Sequence, residues 1–194
     1  MAKILGFDIS SSCIGWCVLE LDDKTKQISY VISDIYKPPK KGDIIERLAK
    51  TKKAIIALLK KHSPDIVAIE ELVKFMPKST ATTVIALTGF NRLVGLTVYE
   101  HQKQLPPCYN VMAIRHGIKF SSDLPSKQEI PDVVAKHLRM APIIHYDKKG
   151  KIAMTTYDQA DATAVAIYAA KIVAGDITPK PKKKKKRKPK KVKP

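Results

Sequence analysis

KILGFDISSSCIGWCVLELDDKTKQISYVISDIY, residues 3–36, alternates apolar stretches with short polar breaks and reads as three strands, at 3–9, 13–21 and 27–36. The breaks, Ser10-Ser11-Ser12 and Asp22-Asp23-Lys24-Thr25-Lys26, are too short for a crossover, so consecutive strands pair antiparallel as a meander. Pro38, Pro39 and Gly42 then precede an amphipathic helix with Ile44, Ile45, Leu48, Ile55, Ile56 and Leu59 near helical period, closed by His62-Ser63-Pro64. A fourth strand follows at 65–70. Strand, helix, strand implies a right-handed crossover and parallel pairing, most simply beside the first strand. A second helix over 79–101, a fifth strand from Tyr109 to Ile114, a third helix over 126–139 and a last helix over 157–174 complete the order. The expected fold class is α/β, a mixed five-stranded sheet of three antiparallel and then parallel strands, flanked by helices.

Two of these strands end in acids. Asp8 closes the run Ile4-Leu5-Gly6-Phe7 and Glu70 closes Ile66-Val67-Ala68-Ile69, so parallel pairing brings the two carboxylates near one another. Asp158 and Asp161 are three residues apart at the start of the Ala-rich last helix and share one face of it. Four acids brought together repel one another unless cations hold them, so the set reads as a metal site. Thr155 and Thr156 read as caps of that helix, and its alanines would allow close approach to the sheet. Acids in a first helical turn also suit the helix dipole, which is the competing reading for Asp158 and Asp161.

The chain carries 36 Lys and Arg against 18 Asp and Glu, a formal net charge of +18. Eleven of the basic residues lie in KPKKKKKRKPKKVKP, residues 180–194, and the remainder keeps an excess of about +7. A basic balance of that kind points to nucleic acid or an anionic surface. Residues 1–175 are expected to form one domain, and 176–194 a disordered Lys/Pro-rich tail that serves as a phosphate-binding arm, a nuclear localisation signal or a solvated tail. The three cysteines, Cys13, Cys17 and Cys108, lack C-x-x-C spacing, and Cys13 and Cys17 read as buried small hydrophobes. His62, His101, His137 and His145 lack ligand spacing and read as surface or capping residues. No signal peptide or membrane-length apolar run is read, so the expectation is a soluble intracellular protein. The second helix is apolar on more than one side, through Val84, Ile85, Leu87, Phe90, Leu93, Val94, Leu96 and Val98, and so packs on the sheet alone or also on another subunit.

FDISSSCIGWCVLE, PDIVAIEELV and YDQADATAVAIYA resemble the three acidic motifs of the RuvC-type Holliday junction resolvases, in order and spacing. The resemblance implies a ribonuclease H-like fold and a homodimer that resolves four-way DNA junctions. It implies a Mg²⁺-dependent endonuclease with two ions per site (Mn²⁺ substituting), acting in the cytoplasm of a bacterial or phage-infected cell, or in a nucleus for a eukaryotic or eukaryotic-virus source. The family's catalytic and metal-binding carboxylates fall on Asp8, Glu70, Asp158 and Asp161, with Asp8 bridging the ions. Hydrolysis by direct water attack would leave 5′-phosphate and 3′-hydroxyl ends. Arg115, His116, Lys119 and Lys127 lie where the family keeps DNA-binding cations, and Lys74, Phe75 and Lys78 lie in the loop where relatives place an aromatic that enters the junction. The closest aligned position to that aromatic is Val73, so Phe75 either stacks on a splayed base or anchors its loop.

Other readings stay open on residues alone. A ribonuclease H fold could act on forks, flaps or RNA–DNA hybrid, because an acidic site reads phosphates without regard to branching. FDISSS also resembles the first phosphate loop of sugar-kinase and actin-like ATPases, but the second Asp-Gly loop and the Gly-rich adenosine segment of those longer chains are missing. A non-catalytic basic nucleic-acid-binding protein would have little reason to keep four mutually repelling acids.

Overall fold

The computed structural model describes residues 1–72 and 80–178. Five strands, β1 (Ala2–Ile9), β2 (Ile14–Leu21), β3 (Ile28–Tyr36), β4 (Ile66–Glu70) and β5 (Cys108–Tyr109), form one sheet in the order β3-β2-β1-β4-β5. The first three pair antiparallel, and β1 with β4 and β4 with β5 pair parallel. The helices are α1 (Ile44–His62), α2 (Ala81–Gln102), α3 (Val111–Ile118), α4 (Ile130–Leu138) and α5 (Met154–Ala174), with a 3-10 turn at Lys127–Glu129. The mixed five-stranded sheet expected from the meander and the crossover is the one found.

Strand alternation divides the core in two. Leu5, Phe7 and Ile9 of β1, Ile14, Trp16 and Val18 of β2, and Val67 and Ile69 of β4 pack against Ile55 and Leu59 of α1 and Phe90, Val94 and Val98 of α2. Ile4, Cys17, Leu19 and Ala68 face the other way, onto α3, α4 and α5. Cys13 and Cys17 are buried, as expected.

Several local expectations are corrected. The fifth strand does not run to Ile114, because only Cys108 and Tyr109 pair. Asn110 adopts an extended backbone and its side chain accepts from Met112 N at 2.9 Å, which starts α3 instead. Ile114 and Ile118, four apart, are the buried residues of that helix. The third helix starts as a 3-10 turn stitched by Ser126 and Glu129, and continues as α4. Thr155 and Thr156 do not cap α5. The helix begins at Met154 without a side-chain cap, and Thr156 accepts from His145 N at 2.8 Å. Nor are the histidines uniformly superficial. His137 is half-buried, bonds Ile118 O at 2.6 Å and stacks on Phe120, while His62 packs against Trp16.

α2 is long and apolar enough to cross a membrane by length and composition, with a mean hydropathy of 1.3, contrary to the reading that no stretch qualifies. Its inner side is part of the core, and Glu100 pairs with Lys52 of α1 at 2.8 Å. Val84, Ile85, Leu96 and Tyr99 remain exposed, so the helix is apolar beyond its buried stripe.

Candidate active site

On β1 the residues facing α5 are Ile4, Gly6 and Asp8, and on β4 they are Ile66, Ala68 and Glu70. Phe7 lies opposite Ile69 in the parallel ladder, so Asp8 and Glu70, each one residue further, emerge side by side at the same end and face. Across the antiparallel ladder Asp8 is opposite Gly15.

That face lets a helix come unusually close. A Cβ on Gly6 would stand 2.5 Å from Ala162 O, and one on Gly15 would stand 2.0 Å from Asp158 O. Only glycine allows backbone approach of this kind. Ala162 and Ala166, also small, complete the contact with Gly6. Asp158 and Asp161, three apart, therefore lie beside Asp8. They sit in the second turn of α5, whose first turn holds no acid, so dipole compensation does not account for them.

The electrostatics carry the signature of this crowding. Loss of hydration pushes the Asp8 carboxyl well above its usual range, and the charges of Glu70, Asp161 and Asp158 push it further. Glu70 is raised to about 7 by burial and then by Asp161, against the pull of Lys127 and Arg115. Asp161 is raised by burial, with Lys127 and Arg115 opposing. Lys127 loses hydration as well, yet the acids Asp161, Asp8 and Asp158 raise it overall, and its Nζ is 3.2 Å from Asp161 Oδ2. Among the described residues, however, no three His, Cys, Asp or Glu side chains stand close enough to hold one ion as they are placed. The four carboxylates share an electrostatic neighbourhood rather than a ready-made cage, and Lys127 takes up part of their charge. The donor set nevertheless fits a hard divalent cation, because every candidate ligand is a carboxylate oxygen and a cation would relieve the repulsion.

The remaining expected residues divide. Arg115 and Lys127 are brought to the acids, and Arg115 Nε is buried without a hydrogen-bond partner among the described residues. His116 is exposed on α3, and Lys119 Nζ donates to Ser122 O at 2.6 Å. Lys74, Phe75 and Lys78 lie outside the described residues.

Two contributors were not read from sequence. The Cys13 thiol bonds to Asp158, and burial, followed by that bond, pushes it up to about 12. Gln159, between the two acids, is 4% exposed and donates to Ser33 Oγ at 2.7 Å while pairing with His145 Nε2. The signal for Gln159 was present, since Thr156, Gln159 and Thr163 form a polar stripe at helical spacing on an otherwise apolar helix.

Residues 4–169 match the family profile described as crossover junction endodeoxyribonuclease RuvC, a span that contains all four acids. The chain belongs to the RuvC family. Among RuvC relatives, that of Erythrobacter litoralis is 34% identical over 111 residues, covering 54% of this chain and 66% of the relative. The RuvC of Caulobacter vibrioides is 26% identical over 170 residues, covering 88% and 90% of the two chains. The solved structure of Thermus thermophilus RuvC in complex with a Holliday junction substrate superposes with a TM-score of 0.68 at 16% identity, over 90% of this chain and 97% of that one. At that identity the likeness speaks for the fold alone, that of the RuvC sheet and helices.

Proposed function

We propose that this chain is a structure-selective endonuclease that cuts four-way DNA junctions, with Asp8, Glu70, Asp158 and Asp161 holding two Mg²⁺ ions. The single observation that carries the reading is the convergence of the four acids: Asp8 and Glu70 emerge side by side at paired strand ends, and the α5 turn that holds Asp158 and Asp161 packs on Gly15, opposite Asp8. Membership of the RuvC family adds the substrate, as does the junction bound by the Thermus relative. When bound, the ions would neutralise the scissile phosphate and acidify the attacking water. The chain's own residues would do the rest. Glu70 from β4 and Asp161 from α5 crowd Asp8, Cys13 steadies Asp158 through its thiol, and Gln159 ties the start of α5 to β3. Arg115 and Lys127, the cations nearest the acids, would meet the negative oxygens of the DNA. Water attack at phosphorus leaves a 5′-phosphate and a 3′-hydroxyl.

A junction has two strands to cut, which suits a homodimer. Leu96 and Tyr99 of α2, with Leu105, border a cavity of about 250 Å³, and with the exposed Ile85 three turns earlier on α2 they support pairing through this face. Replacing Ile85 and Leu96 by Glu should leave a monomer in sedimentation that nicks junctions without paired cuts. The Lys-rich segment beyond residue 178 is proposed as a sequence-independent phosphate arm. The relatives named above are bacterial, in keeping with a cytoplasmic rather than a nuclear setting.

The test is cleavage of a four-way junction, a fork, an RNA–DNA hybrid and plain duplex, with and without Mg²⁺. Wild type should cut the junction best and only with metal, and Asp8→Asn and Asp161→Asn should bind it without cutting. Metal-free cleavage, or cleavage retained in both variants, would overturn the reading.

A further inference from the structure

The catalytic acids have a cationic flank on the α3 side, and the sheet places a second one on the opposite side. Ile35 of β3 is opposite Gly15, which is itself opposite Asp8, so one rung runs across the sheet from the β3 edge to the site. Lys37 lies two residues beyond Ile35, just past the last residue of β3, at the same end of the sheet. With strands about 4.8 Å apart, this edge stands about 10 Å to the side of Asp8. Lys40 and Lys41 follow within the link to α1, and all three lysines are exposed.

This link is anchored rather than loose. Pro38 is buried, Arg47 Nε donates to Pro39 O at 2.6 Å, and Arg47 Nη2 donates to Ser11 O at 2.9 Å in the turn that follows β1. The same guanidinium lies over the Phe90 ring, 5.3 Å from its centroid. Of the nearby acids, Glu46 lies beside Gly42, and two others are engaged or turned away. Asp43 caps α1 by accepting from Ile45 N at 2.7 Å, and Asp34 is opposite Trp16, on the α1 and α2 face. Among the described residues none of the three lysines has an ion-pair partner. The charge of Lys37 reaches the Cys13 thiol, which borders Asp158.

Building on the nuclease reading above, we propose that Lys37, Lys40 and Lys41 form a second phosphate-binding track, which holds the DNA backbone on the β3 side of the cleaved phosphodiester. Arg115 and Lys127 hold it on the other side. About 10 Å corresponds to about three nucleotides of axial rise at ~3.4 Å each, so a strand that runs from the acids toward the β3 edge reaches these lysines. Such lysines position DNA without reading its sequence.

The test uses the full chain and a fluorescent four-way junction, with Ca²⁺ replacing Mg²⁺ and affinity followed over a KCl series. Replacing Lys37, Lys40 and Lys41 together by Ala should make the slope of log affinity against log salt shallower by ~0.9 for each phosphate that is no longer neutralised. In Mg²⁺, kcat should hold while KM rises, and the triple Lys→Arg variant should restore the slope. Lys53→Ala, Lys60→Ala and Lys61→Ala, on the exposed side of α1, serve as the equal-charge control and should leave the slope near wild type. A triple Ala variant that binds junctions with the wild-type slope overturns this track alone. A slope lowered equally by the α1 control overturns it too, by reducing the effect to net charge. A wild-type chain that binds no DNA overturns the nuclease reading and the track with it.

Discussion

Both faces of the sheet bury an apolar core, but at the end that carries Asp8 and Glu70 they do opposite jobs. Under α1 and α2, Leu5, Phe7, Trp16 and Ile69 fill space with large side chains. Under α5 the alternate positions of the same strands are Gly6, Asp8, Gly15 and Glu70, two that leave space and two that carry charge. The first face gains stability from apolar burial. The second gives up side-chain packing so that a helix backbone can press Asp158 and Asp161 toward the strand-end acids, and it holds carboxylates that burial disfavours. At this end of the sheet, dense packing and charge are thus separated by the two-residue period of a strand.

Substitutions on each face sharpen this contrast. Phe7→Ala, at a fully buried position, should cost about 3–5 kcal/mol of stability in chemical denaturation. Cleavage per folded molecule should be nearly unchanged. Gly15→Ala should cost about 1–3 kcal/mol or more, because its new methyl would run into the Asp158 carbonyl, a backbone group with no rotamer to yield. Its cleavage should nonetheless fall much further than that of Phe7→Ala. If both variants lose activity only in proportion to unfolding, the separation of roles fails.

The smallest effect is one of pH. Asp8 and Glu70 have folded-state pKa values raised above their ordinary ones, chiefly by burial, Glu70 to about 7. The folded chain therefore binds more protons than the unfolded one. The Glu70 contribution to stability is full below the ordinary carboxylate range and is lost as pH rises through about 7, and that of Asp8 has the same sign. Without metal, Tm should fall from pH 5 to pH 8, flatten in Glu70→Gln, and recover on adding Mg²⁺. A metal-free Tm that rises over this interval would contradict the crowding of the acids.

Much of this was readable because buried strands declare themselves by continuous apolar runs, and Asp8 and Glu70 break those runs at their ends. The pairing of β1 with β4 followed from the crossover rule, and the shared face of Asp158 and Asp161 from helical spacing. The stretch Val111–Ile114 misled because four apolar residues suit a strand or a helix equally, and Asn110, acting as a cap, decided the matter. The ion pair of Lys127 with Asp161 and the thiol bond of Cys13 to Asp158 depend on how elements distant in sequence pack, which no local pattern encodes. The distances among the four acids were equally hidden. The motifs pointed to four candidate acids, but not to side chains that stand too far apart to hold one ion as placed.

Calorimetric titration of the full chain with Mn²⁺ at neutral pH, beside Asp8→Asn, tests the joint metal site most directly. The prediction is saturable binding by wild type that releases protons from the raised carboxyls, and that Asp8→Asn weakens severely while its circular dichroism is unchanged. Binding of equal strength in a folded Asp8→Asn variant, or no binding by wild type, would contradict it.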